Sequence, residues 1–300
     1  MFEIKENRLL VSDIANYLNN EYIGLDFDIV EFGPFSETIK ENTFSFIEDI
    51  NLSLDIIDKN VLIICPIGYS TSNSNISIIN AENPKLSFYN VVNEFFIQDD
   101  NHQISENATI KNMDNLGVNI SIGDNSYIGK NVVIGNNSYI GNNVTIKGNV
   151  SVGRDCYIKD GAIIGSEGFD FIESENGLVH VPQVGKIEIG NNVWVGSNSV
   201  IERASLDKTL IENNVKIDDL VQIGNSCKIK SNTKLAAGVV VGENSVVGEK
   251  SFIGMNVSIK EDIIIEDEVI VGSGASVVTN LEKSSTYVGV PAKKIQKREV

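Results

Sequence analysis

The sequence predicts a mainly β protein, a left-handed parallel β-helix of six-residue repeats preceded by a small α/β domain. Three observations predict it. An aliphatic residue recurs at every sixth position, eleven in a row from Ile104 to Ile164 and twelve in a row from Ile211 to Val277. Glycine often follows that aliphatic, as at Gly123, Gly153 and Gly248, and pairs such as Asn136-Asn137 and Asn142-Asn143 suit left-handed backbone. Composition also changes near residue 100, since nine of the twelve phenylalanines precede it and 22 of the 25 glycines follow it.

A six-residue period fits a three-sided prism. Each face of a coil turns one aliphatic inward, and only stacked coils can bury that row. The prism is expected over 101–280, with a C-terminal segment at 281–300 and a separate domain at 1–100. In that first domain Leu10 to Leu18 reads as helical, with Ser12 as the N-cap of the segment after it. Ile23 to Phe32 and Val61 to Cys65 read as strand-like runs, and Leu86, Tyr89, Val92 and Phe96 mark the apolar face of a second helix. The period breaks over Gly165 to Lys186 and again around Ala204 to Lys208. Loops on a regular scaffold are where binding groups are carried. The longer break should project from the prism, with Phe169 and Phe171 buried.

Composition excludes several function classes. A net charge of −17 leaves no basic footprint for nucleic acid. Cys65, Cys156 and Cys227 form no CxxC pair and no disulfide framework, which fits a reducing cytoplasm. The run Val61 to Cys65 is too short to span a membrane, and the acidic N-terminus lacks the features of a signal peptide, so a soluble cytoplasmic protein is expected. Two histidines cannot supply a three-histidine zinc site, and no metal is expected. The only glycines in the first hundred residues, Gly24, Gly33 and Gly68, make no phosphate-binding loop of a nucleotidyltransferase.

Three segments stand out in the first domain: Leu10-Val11-Ser12-Asp13-Ile14-Ala15, Asn42-Thr43-Phe44-Ser45-Phe46 and Asn83-Pro84-Lys85. Three more stand out in the repeats: Ile164-Gly165-Ser166-Glu167-Gly168-Phe169-Asp170-Phe171, Val181-Pro182-Gln183-Val184-Gly185, and Ile201-Glu202-Arg203-Ala204-Ser205-Leu206-Asp207-Lys208-Thr209. Through these segments the chain resembles, over nearly its whole length, the UDP-3-O-acylglucosamine N-acyltransferases of lipid A synthesis, known as LpxD. The family motif Asp-Asn-x-x-Gln-Ile-Ala-His falls on Asp218-Asp219-Leu220-Val221-Gln222-Ile223-Gly224-Asn225, so Asn225 stands at the catalytic histidine and Asp262 at a second functional histidine. The family's uracil-holding residues have no counterpart in Ile47-Glu48-Asp49-Ile50. The segment Tyr287-Val288-Gly289-Val290-Pro291-Ala292-Lys293-Lys294-Ile295 resembles the ending of CoA-dependent sugar acetyltransferases, whereas the lipid A enzymes continue into helices that engage acyl carrier protein.

These resemblances imply an acyltransferase that assembles as a homotrimer, takes acyl-CoA as co-substrate and acts on a nucleotide-linked amino sugar. A dTDP-4-amino-4,6-dideoxyhexose for surface glycan is the expected acceptor. The alternatives are acyl transfer from carrier protein in lipid A synthesis and a solenoid scaffold without chemistry. An amine brings its own lone pair, whereas a sugar hydroxyl needs a positioned base, so loss of the histidine favours N-acylation. Asp218 and Asp219 are the candidate groups for the acceptor ammonium, on the argument that neighbouring carboxylates on a partly dry face have a raised pKa. Asn225 is a candidate donor to the amine or oxyanion, His180 a candidate base, and His102 a weaker one. Gln222, Phe169 and Phe44 are the candidate substrate contacts. Gly238, Gly254 and Gly272 offer close approach to pantetheine, and Pro291, Lys293 and Lys294 to the CoA phosphates.

Overall fold

The computed structural model describes residues 3–4, 8–36, 38–54, 57–98 and 103–295. The chain forms two compact units, Met1–Asp100 and Asn101–Val300.

The first unit is built on a five-stranded sheet in the order Tyr22–Ile23, Ile76–Ala81, Val61–Pro66, Thr43–Phe46, Glu31–Phe32. All neighbours run parallel except the first pair. The run Val61 to Cys65 is apolar throughout because both sheet faces are covered. Leu62 and Ile64 point into a cluster with Phe44, Ile79 and the two helices, while Val61, Ile63 and Cys65 join Ile39, Leu54 and Tyr69 on the other side.

Helix α1 (Val11–Leu18) buries Val11, Ile14 and Ala15. Leu10, not Ser12, is its cap residue. The Asp13 carboxylate reaches back to the Leu10 N–H at 3.0 Å, and the Ser12 N–H is taken by Asp26 at 3.0 Å, so Ser12 lies inside the first turn. Helix α2 (Pro84–Val91) starts two residues before the apolar spacing does, with Asn83 accepting the Leu86 N–H at 3.0 Å and proline in the first turn. It continues as a π-helical turn, Val92–Phe96. Its buried face is Phe88, Val91, Val92 and Phe96, whereas Leu86 and Tyr89 are exposed. The wide turn takes one more residue per turn, so a plain three-and-four spacing misassigns the first half of the face.

The second unit is a prism of three parallel sheets with nine, ten and seven strands, counting the antiparallel last strand of the ten. A regular coil advances 18 residues: Ile217 pairs with Leu235, and Leu235 with Ile253. The inward aliphatics from Ile120 to Leu281 form one continuous core. Asparagine takes the left-handed corners, as at Asn137 (φ 58°) and Asn143 (φ 56°). The glycine after the aliphatic has another reason. At Gly153 a Cβ would lie 2.5 Å from the carbonyl oxygen of Gly190 on the next coil, so the stacking distance excludes a side chain there. Buried hydroxyls bind adjacent coils: Ser126 donates to the Gly141 carbonyl at 2.7 Å and accepts from the Val144 N–H at 2.9 Å.

The longer interruption is an antiparallel hairpin, Phe171–Ser174 with Gly177–His180. It lies between the prism strands Ile163–Ser166 and Lys186–Ile189. Contrary to the burial expected from sequence, Phe169 is 90% exposed and Phe171 is 43% exposed. The hairpin has no second layer of its own against which to bury them. At the end of the prism Thr286–Val288 adds a parallel strand and Lys293–Ile295 folds back antiparallel to it.

Candidate active site

One group of linked polar side chains lies where the hairpin leaves the prism. Val200–Glu202, Gln222–Ile223 and Val240–Val241 are successive strands of the nine-stranded sheet, with Ile201, Ile223 and Val241 stacked inward. The residue after each inward aliphatic is Glu202, Gly224 and Gly242 in turn, so Glu202 alone of the three carries a side chain over the two glycines. Its Oε1 accepts from Gln222 Nε2 at 2.7 Å and its Oε2 accepts from the Asn225 backbone N–H at 3.2 Å. Asn225, which is buried, donates through Nδ2 to Glu243 Oε2 at 2.9 Å. Two elements of the interruption pack against this group. The Gly168 N–H donates to Gln183 Oε1 at 2.6 Å, while the Nε2 of that buried Gln183 has no partner. A Cβ on residue 168 would stand 2.5 Å from Glu202 Oε2, 3.0 Å from Asn225 Nδ2 and 3.1 Å from Gln183 Nε2.

The electrostatics follow from these contacts. Burial pushes the Glu202 carboxyl above the usual carboxylate range, the Asn225 N–H and Gln222 amide oppose this, and the charge of Glu243 adds to it. Burial holds the thiol of Cys227 at about 12. Arg203, next to Glu202 in the chain, turns away to pair with Glu167, and His180 Nε2 lies 3.9 Å from the same Glu167.

The structure separates the residues that the sequence grouped. Gln222 and Asn225 meet at Glu202, but Asp218 and Asp219 lie at the opposite end of the same strand, after Lys216–Ile217 of the ten-stranded sheet. Asp219 accepts from Lys159 Nζ at 2.7 Å and from the Ser197 N–H at 2.7 Å, and the Lys159 bond holds its carboxyl below the usual range. Asp219 is thus lowered where a raised carboxyl was expected, and Glu202 is raised. Asp218 Oδ1 accepts the Asp219 N–H at 2.8 Å and lines an open groove of about 340 Å³ with Trp194, Lys216, Lys234 and Phe252.

His180 stands on the hairpin, its ring edge-on to Phe171 at 5.3 Å, and Phe171 is edge-on to Phe169 at 5.1 Å. Phe44 belongs to the other unit and is fully buried against Phe88, so it has no surface to offer a substrate. The close approaches at Gly238, Gly254 and Gly272 are filled by the protein itself: Asn256, the Ser273 N–H and Val288 Cγ1 stand where each Cβ would point. Pro291 follows a cis peptide bond; Lys293 is exposed, while Lys294 is held by Glu282 at 2.7 Å. His102 lies outside the described residues. Glu202, Glu243 and Gln183 were given no role from sequence. The available signal was a glutamate in the position that glycine usually fills after the inward aliphatic.

Residues 119–154, 131–166 and 208–243 match the family of bacterial transferase hexapeptides in six repeats, and residues 246–279 match the hexapeptide repeat of succinyl-transferase. The coils in these ranges are similar to transferase hexapeptide repeats. A segment of the chain is also similar to UDP-3-O-acylglucosamine N-acyltransferases. The enzyme of that name from Coxiella burnetii is 51% identical over 59 residues, 19% of this chain and 17% of that one. The Saccharophagus degradans enzyme is 51% identical over 57 residues, again 19% and 17%. The matched segment thus spans about a sixth of the length of these relatives. Two solved structures share the left-handed β-helix. They are a UDP-N-acetylglucosamine acyltransferase from Campylobacter jejuni (TM-score 0.57, 19% identity, 64% of this chain and 74% of that one) and the corresponding O-acyltransferase from Moraxella catarrhalis (TM-score 0.57, 22% identity, 64% and 73%). Among the described residues no helix is long and apolar enough to cross a membrane, and no cluster of three or more metal-binding side chains occurs.

Proposed function

We propose that this chain is an N-acyltransferase that moves an acyl group from a thioester to the amine of a nucleotide-linked amino sugar. The observation that carries the reading is the 51% identity, over a segment of nearly 60 residues, to enzymes named for N-acylation of UDP-3-O-acylglucosamine. The polar cluster around Glu202 and Asn225 supports it, because it sits on a repeat-built prism at the base of an inserted hairpin and offers both proton acceptors and amide donors. The names of the relatives favour the UDP-linked glucosamine, the acceptor of lipid A synthesis, over the dTDP-linked hexose.

The donor is an acyl thioester. Acyl-CoA is the reading drawn from the C-terminal segment, and the exposed Lys293 beside Pro291 supports it; Lys294 is already engaged by Glu282. A carrier-protein thioester is the other reading. A homotrimer, with neighbouring prisms flanking the site, belongs to the same proposal. The test is a thiol-release assay with acetyl-CoA, longer acyl-CoAs and acyl-carrier-protein thioester against UDP- and dTDP-linked amino sugars. Thiol release that requires an amino sugar supports the reading and identifies both substrates. No release with any pair overturns it and leaves the solenoid scaffold.

A further inference from the structure

Most carboxylates with strong contacts on the prism face a lysine. Glu188 lies between Lys186 and Lys208, Asp219 meets Lys159, and Asp267 meets Lys230; each is held below the usual range chiefly by its lysine. Glu202 differs. Among the described residues no lysine or arginine pairs with it, since the neighbouring Arg203 is turned to Glu167. Its partners are neutral amides, from Gln222 and the Asn225 backbone, and one further carboxylate, Glu243, reached through the Asn225 side chain. A half-buried carboxylate held by amides and by no cation is a poor structural device. It is well suited to taking up a proton.

A second observation points to a ligand at the same place. Gln183 is 2% exposed, and its Nε2 has no partner, although its other amide atom is fixed by the Gly168 N–H. An unpaired buried N–H is unfavourable unless a guest satisfies it. That nitrogen, Glu202 Oε2 and Asn225 Nδ2 all lie within 3.1 Å of the point where a side chain on residue 168 would begin. Only a glycine fits against these three atoms, so Gly168 packs the unpaired Gln183 amide closely beside Glu202 and Asn225.

Building on the proposed N-acyl transfer, we infer that Glu202 is the catalytic base of this chain, seated over the coil where its Gln222 and Asn225 partners hold both oxygens. The acceptor amine attacks the thioester carbon, and a C–N bond forms as the carbonyl electrons move to oxygen. The ammonium proton passes to Glu202. The intermediate then collapses, the C–S bond breaks, and the proton moves from Glu202 to the departing sulfur, leaving an amide and a free thiol. The account explains how the chain manages without a histidine at position 225. Its base comes from the preceding coil rather than from the same corner.

The groups that face Glu202 are Glu243, Gln222, Asn225 and Gln183, with the Cys227 thiol beneath them and Arg203 and Glu167 paired alongside. Burial, and then Glu243, keeps its pKa high, so kcat/KM should rise with pH along an acidic limb centred above the usual carboxylate range. The test measures transfer from acyl-CoA and acyl-carrier-protein thioester to UDP-3-O-acylglucosamine by the full chain and its variants. Glu202→Gln should lower kcat about a hundredfold or more, change KM less than threefold and abolish the acidic limb. Gly168→Ala, whose methyl would stand 2.5 Å from Glu202 Oε2, should lower kcat and shift that limb. If Glu202→Gln fails to fold by circular dichroism, the wild-type limb decides, and a midpoint at or below about 4.3 overturns the inference. Wild-type turnover with Glu202→Gln within threefold and an unchanged limb overturns the base alone. No wild-type turnover overturns the proposed function, and this role with it.

Discussion

At the scale of single residues, two carboxylates that look alike in sequence behave in opposite ways. Asp219 contributes stability above its unfolded pKa that is lost as pH falls through its lowered folded value, because protonation breaks the bond to Lys159. Both side chains are partly exposed, so the effect is small. Asp219→Ala should cost about 1 kcal/mol at neutral pH and nothing in acid, as checked by melting temperature against pH. Glu202 has the opposite sign. Its raised pKa means that stability falls as pH rises through the folded value, and Glu202→Gln should melt higher than wild type by a margin that grows with pH. A period of six could not separate these two. Asp219 is defined by Lys159, two coils earlier, and Glu202 by the lack of any such cation. Asn225 and Gln222 were legible because they fill positions in a recognisable motif. Gln183 was not, since its importance rests on one nitrogen left without a partner.

At the scale of elements, the insertion and α2 show what a linear pattern omits. The strands Phe171–Ser174 and Gly177–His180 are almost wholly exposed and pair only with each other. Limited proteolysis should therefore cut first in 173–177, and the nicked protein should keep the circular dichroism of the intact prism. The length of the break announced a projecting element, but its aromatics misled, because phenylalanine is usually buried and here two are displayed. In α2 the helix was legible from the apolar spacing, whereas its start at Asn83 and Pro84 and the π-turn that sets its face were not. Phe88→Ala should cost about 3–5 kcal/mol, and Leu86→Ala no more than about 0.5 kcal/mol, by chemical denaturation.

At the scale of the whole molecule, the prism was the most legible feature, since each coil repeats the same inward choice and the errors of single positions cancel. Stability in such an array is a sum over coils and their interfaces. Ile217→Ala removes a fully buried rung between Val195 and Leu235 and should cost about 2–5 kcal/mol. Hydrogen exchange should then rise first in the coils around 195–235, next to the site, before it rises at the ends of the prism. The chemistry that this scaffold supports is the central claim, and the nature of the bond it makes tests that claim most directly. The product formed by the full chain from an isotopically labelled acyl donor should be isolated and treated with alkaline hydroxylamine, which cleaves oxygen esters and leaves amides intact, with mass spectrometry as the readout. The account predicts that the labelled acyl group stays on the sugar, while any ester the acceptor already carried is lost. Loss of the labelled acyl group would place the transfer on a hydroxyl and contradict it.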